Sequence, residues 1–256
     1  ADGTKLTANG SSSHAGIEVS DGNALTVWGQ GGGAGTLVAT GKSGGAGIGG
    51  GNGVKGGTVT INGGTVVAKS GRTGTWDVGS GKGGGDKTGE FFVNGGSVHL
   101  ANSGMCRNGY PQNAAGAQVY CVTVAGLEGL VRLEDLDAYG TNHILADEDG
   151  KVYLYLPNGI YSFKANDVSY SATVSNGPTV ALRATPYWDS LSGTEKSAFC
   201  ILMDAGTKVL EDGKWYVVER GFAICDLTVN GAANLILADG TKLTANGLSS
   251  HAGIEV

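Results

Sequence analysis

Apolar and polar residues alternate in short runs along much of the chain. TVTI at 58–61, TVVA at 65–68 and SVHL at 97–100 each send one side chain inward and the next outward, the signature of half-buried strands. Longer stretches follow the same rule: ALTVWG (24–29), TLVATG (36–41), TVTINGGTVVAKSG (58–71) and EFFVNGGSVHLANSG (90–104). Between them AGIEV (15–19), AGIGG (46–50) and WDVGS (76–80) recur about 31 residues apart. Three short strands per turn of chain, stacked at a regular period, predict a parallel β-helix over residues 1–104, with a stack of β-hairpins as its rival. The shared NGG marks a corner, and Asn62-Gly63 and Asn94-Gly95 are the expected suppliers of positive φ.

The same alternation returns over 197–256 in FCILM, WYVV, LTVNG, NLILADG and KLTANG. Between the two parts, residues 117–183 lose the glycine tracts and gain aromatic alternation, as in KVYLYLPNGIYSFKA (151–165). Six or seven short strands separated by turn residues predict a small β-sandwich there, flanked by linkers at 105–116 and 184–196. The expected fold class is therefore all-β: a parallel β-helix, or solenoid, with an inserted small antiparallel β-sandwich.

Self-similarity changes the picture most. Residues 1–19 read ADGTKLTANGSSSHAGIEV and residues 238–256 read ADGTKLTANGLSSHAGIEV, differing only where Ser11 gives way to Leu248. The sequence thus spans one 237-residue period plus an overlap, and residues from about 197 onward are expected to join residues 1–104 of a following copy in one solenoid. The continuation is either covalent, in one giant chain, or non-covalent, by subunits stacking head to tail into an open filament.

Composition narrows the class. Glycine accounts for 48 of 256 residues and proline for only 4, without a three-residue period, which excludes collagen. Hydrophobic residues at 40% are too many for a disordered linker. A net charge of -6 with scattered Lys and Arg offers no footprint for nucleic acid. No apolar run is long enough to span a membrane as a helix, and the opening Ala1-Asp2-Gly3-Thr4, with no initiator Met, is expected of a processed chain or an excerpt.

Candidate chemistry is sparse. Cys106, Cys121, Cys200 and Cys225 show no zinc-ligand spacing, leaving disulfides or buried thiols. An extracellular setting favours the local pairs Cys106–Cys121 and Cys200–Cys225 among three connectivities. GKSGGAGIGGGNGVKGG (41–57) lacks the spacing and following helix of a phosphate loop. Asp77, Asp86 and Glu90 flank a glycine tract and could meet around a sugar or calcium, yet they nominate no catalytic pair. Asp147-Glu148-Asp149-Gly150 is better explained as a turn than as a calcium loop, and His14, His99, His143 and His251 are too scattered for a metal. Trp28, Trp76, Asp77 and Asp86 are the candidate glycan contacts, since aromatic faces accept apolar sugar faces. No enzyme is expected, no cofactor is required, and calcium is the one ion considered.

The string WYVV, LTVNG, LILADGTKLTANG, AGIEV, LTVWGQ, AGIGGG and GGTVTINGGTVVA resembles the long repetitive surface proteins of gut Firmicutes, and similar stretches stand beside a clostridial β-helix family described as carbohydrate-binding. ADEDGKVYLYLPNGIYSFKA (146–165) resembles transthyretin-like, carboxypeptidase-regulatory modules of secreted proteins. The first resemblance implies an exported, wall-associated or fibre-forming protein with further copies of itself as partner, and a polysaccharide as a possible second partner.

Overall fold

A computed structural model describes residues 3–85, 90–102, 110–136, 139, 143–247 and 252–255, and every regular element among them is a strand. The chain divides into two compact units, residues 1–167 with 172–179, and residues 168–171 with 180–256.

The first unit opens with β1 (Lys5–Asn9), β2 (Ile17–Glu18), β3 (Ala24–Val27), β4 (Thr36–Thr40), β5 (Ile48–Gly49), β6 (Thr58–Ile61), β7 (Thr65–Lys69), β8 (Val78–Gly79), β9 (Phe91–Val93) and β10 (Ser97–Leu100). Every third strand pairs in parallel, giving three sheets in the orders β1-β4-β7-β10, β2-β5-β8 and β3-β6-β9. Partners lie about one turn of chain apart, as in Lys5 with Thr36, Ile17 with Ile48 and Val59 with Phe91. Alternation does its work here: Leu37, Ala39, Ile48, Val59, Ile61, Val66, Ala68, Val78, Val93 and Val98 form one buried cluster, while the residues between them face outward.

The NGG corners behave differently from expectation. Positive φ falls on Gly64 (79°) and Gly96 (79°), the second glycine of each motif, and not on Asn62-Gly63 or Asn94-Gly95. A Cβ at Gly96 would stand 2.4 Å from the carbonyl oxygen of Gly64, so both conformation and stacking demand glycine. The asparagines are used through their side chains: Asn94 Nδ2 donates to Asn62 Oδ1 at 2.7 Å, and Asn94 Oδ1 accepts from Ala114 N at 2.7 Å.

That last contact begins a lid over the end of the stack. Gln112 bridges Phe92 in parallel, with Val93 N donating to Gln112 O (2.8 Å) and Gln112 N to Phe91 O (3.0 Å). Residues 110–116, expected to be linker, are thus part of the packed fold. Val119 and Tyr155 enter the same apolar cluster, with Cys121 packed against it. Sheet edges that stay unpaired invite association, and covering them is the usual remedy.

Beyond the lid run β11 (Tyr120–Ala125), β12 (Leu130–Glu134), β13 (His143–Leu145), β14 (Lys151–Leu156) and β15 (Gly159–Ala165). β11 pairs antiparallel with β14, and β12 pairs antiparallel with β13 and β15. Val122, Val124, Val131, Leu133, Val152, Leu154 and Phe163 are buried.

The strands β16 (Val168–Val174) and β17 (Thr179–Val180) are divided between the units. The second unit continues with β18 (Leu182–Asp189), β19 (Thr194–Leu202), β20 (Val209–Leu210), β21 (Trp215–Val218), β22 (Phe222–Cys225), β23 (Leu227–Val229), β24 (Asn234–Leu237), β25 (Leu243–Asn246) and β26 (Ile254–Glu255). The expected linker at 184–196 is in fact a long antiparallel hairpin of β18 and β19, from Arg183 opposite Cys200 to Asp189 opposite Thr194. From β19 onward the pairing turns parallel, in the sets β19-β21-β24, β20-β23-β26 and β22-β25. Met203, Leu210, Tyr216, Val218, Ile224 and Leu227 form its buried cluster.

Candidate functional site

The two copies of the duplicated segment form the same strands. Leu6 to Asn9 lies in β1 and its counterpart Leu243–Asn246 is β25, while Ile17–Glu18 is β2 and Ile254–Glu255 is β26. Their neighbours differ. The first copy pairs only with strands that follow it, β1 with β4 and β2 with β5; the second pairs only with strands that precede it, β25 with β22 and β26 with β23. Among the described residues each copy therefore leaves open the edge that the other has filled.

Exposure follows the same logic. Leu6 is 62% exposed at its open edge, whereas its counterpart Leu243 is half-buried under Phe222. Conversely Ala15 is buried and Ile17 half-buried in the first copy, whereas Ala252 is exposed and Ile254 is 45% exposed in the second. Identical residues thus differ in burial because a neighbouring turn of chain is present on one side or the other. Leu235 (38%) and Leu237 (54%) are uncovered on the open edge of β24.

The nominated glycan contacts do not converge on one face. Trp28 is 73% exposed beside a groove lined by Leu6, Val27, Gln30 and Thr36. Trp76 is half-buried. Asp77 is fully buried, and this corrects its reading as a solvated sugar or calcium ligand. Its Oδ1 accepts from Ser70 N at 2.7 Å and its Oδ2 from Asn102 N at 3.0 Å, while Asn102 Nδ2 donates to Ser70 O and Oγ at 3.2 and 2.9 Å. Two successive turns of chain, one holding Ser70 and Asp77 and the next holding Asn102, are clasped through one carboxylate. Asp86 lies outside the described residues, as does His251.

Cys121, Cys200 and Cys225 are free thiols, so the Cys200–Cys225 bridge is not formed; Cys106, and with it the Cys106–Cys121 pairing, lies outside the described residues. Burial pushes the Cys121 thiol up to about 11 and raises that of Cys200, keeping both protonated and weakly nucleophilic near neutrality. Among the described residues no three His, Cys, Asp or Glu side chains gather as a metal site, and no helix is long and apolar enough to cross a membrane.

A contact that sequence reasoning missed joins the parallel stack to the antiparallel strands of the first unit. His99 of β10 stacks on Tyr153 of β14 with ring centroids 4.2 Å apart and planes 8° from parallel. Tyr153 N donates to Ser97 Oγ (2.9 Å), its hydroxyl donates to Asp147 Oδ2 (2.9 Å), and Thr65 Oγ1 donates to the Leu145 carbonyl (3.1 Å). Burial lowers the pKa of His99, more than the nearby carboxylates of Asp147 and Asp77 raise it. The alternation of SVHL and KVYLYL located both strands, but no local signal says which outward side chains meet.

No family model, no curated protein and no solved structure matches the chain. Neither the resemblance to repetitive Firmicutes surface proteins nor that to transthyretin-like modules is supported by such a match.

Proposed function

We propose that this chain is a structural, non-enzymatic repeat module of an extracellular surface protein or fibre, in which a parallel β-helix carrying an antiparallel β-sandwich continues from copy to copy through the duplicated segment. One observation carries the reading: the same residues form the same strands at both ends, paired on opposite edges. Laying one copy of the segment on the other fills both edges at once, with no new sequence required. Glycine-rich corners, closely stacked asparagines and the buried Asp77 clasp suit a rod whose purpose is to hold its length. Partners in this reading are further copies of the chain.

Chains of one, two and three 237-residue periods, imaged by electron microscopy, test it. The expected result is a particle length that grows by one constant step per period. Particles whose dimensions do not increase stepwise overturn the proposal.

Binding of a cell-wall or plant polysaccharide is the second reading, favoured by the exposed Trp28 beside its groove. A glycan array read with and without calcium, using the chain and its Trp28→Ala variant, decides it. Equal signals from the two remove Trp28 as a sugar platform.

A further inference from the structure

We infer that the unit that closes a core in this array straddles the repeat boundary: β24 of one copy pairs in parallel with β3 of the following copy, Leu235 beside Leu25 and Leu237 beside Val27. The inference rests on the head-to-tail reading and adds to it a partner strand and a register.

Three rows of inward side chains carry the argument. In the second unit Tyr216 and Val218 stand beside Leu235 and Leu237. In the first unit Leu25 and Val27 stand beside Val59 and Ile61, and those beside Phe91 and Val93. Joining β24 to β3 makes one continuous row. A second row already passes through the duplicated segment: Phe222 beside Leu243, the counterpart of Leu6, which stands beside Leu37, then Val66, then Val98. The third runs from Leu227 to Ile254, the counterpart of Ile17, and on to Ile48 and Val78. Two rows cross the boundary through identical residues, and the remaining one is completed by the two strands left with open edges.

Spacing sets the register. Leu227 pairs with Ile254, 27 residues on. Counting through the shared segment, Ala24 of the following copy also lies 27 residues beyond Asn234. The same turn length therefore serves both sheets. It falls between the 19 residues from Trp215 to Asn234 and the 31 from Lys5 to Thr36, the turns that flank the junction on either side. The uncovered side chains at the two ends, Leu235 and Leu237 on one and Leu6 on the other, are those the junction would cover.

The test uses a two-period chain with one shared segment at its centre. Cysteines are placed at Ile236→Cys in the upstream copy and Thr26→Cys in the downstream copy, neighbours in this register at the ~4.8 Å spacing of paired strands. Mild oxidation is expected to link them, as read by peptide mapping, while Ile236→Cys with Leu25→Cys stays unlinked. In parallel, Leu237→Asp in the upstream copy is expected to lower Tm by on the order of 5 °C in the two-period chain and by under about 1 °C in the 256-residue chain. Absence of the link, or an equal Tm change in both chains, overturns the register. If the particle still lengthens by its constant step, the array survives and only this junction is wrong; if it does not, both fail together.

Discussion

The parallel stack at residues 5–100 and the one at residues 201–255 are built by one rule and finished differently. In the first, Ala39, Ile48, Val59 and Ile61 are fully buried, and Gln112 with Val119 closes the far end. In the second, burial is deep at Val218, Ile224 and Leu227 and fades toward β24 and β26, where Leu237 and Ile254 are uncovered. Local sequence does not explain the fading, since Ile254 belongs to a segment whose counterpart is better buried at the other end. Neighbours do: a strand in a parallel stack is covered by the turns of chain on either side, so its stability is shared with both.

That contrast can be broken most severely at the middle of the closed stack. Val59→Asp places an unpaired charge among Ile61, Phe91 and Leu25, and a loss above ~4 kcal/mol is expected, seen as loss of the first unit's melting transition by circular dichroism. Next in size is the polar clasp. Asp77→Ala leaves Ser70 N and Asn102 N without their buried acceptor and is expected to cost about 3 kcal/mol in urea unfolding. The comparison is sharpened by matched truncations: Ile61→Ala should cost about 3 kcal/mol and Leu237→Ala under about 1 kcal/mol in the 256-residue chain. Equal costs would show the two ends to be equally packed.

The smallest effect is expected of His99. Its folded-state pKa lies below the unfolded 6.5, so between the two values the unfolded chain binds more protons. Stability from this group is whole above 6.5 and is lost as pH falls through the folded value. Comparing urea midpoints at pH 7.5 and 5.5, the native chain should lose more than His99→Phe, which keeps a ring against Tyr153 and cannot titrate.

Much of the architecture was legible because period and alternation are local. TVTI, TVVA, SVHL, WYVV and NLIL all became strands, with Val59, Ile61, Val66, Ala68, Val98 and Leu100 turned inward in the first three, and the near-constant spacing of AGIEV, AGIGG and WDVGS reports the length of one turn. The failures have different physical origins. Asp77 reads as a loop carboxylate because its partners Ser70 and Asn102 sit on other parts of the chain. The hairpin of β18 and β19 was hidden by Pro186 and by Ser190-Leu191-Ser192-Gly193, which punctuate the run like a linker. The positive φ belongs to Gly64 and Gly96, one residue past each Asn-Gly pair, because the asparagine amide bonds along the stack instead of shaping the turn.

The asparagine at each NGG corner has an evolutionary consequence. Since Asn62 and Asn94 occupy equivalent places one turn apart and bond to each other, deleting or inserting a whole turn reconnects like to like. In the proposed array, gain or loss of a whole turn would change its length and leave the interior contacts in register, whereas a one-residue shift within a strand would turn that strand's inward leucines and valines to water. In that array length would come in steps of one turn, adjustable without a new fold.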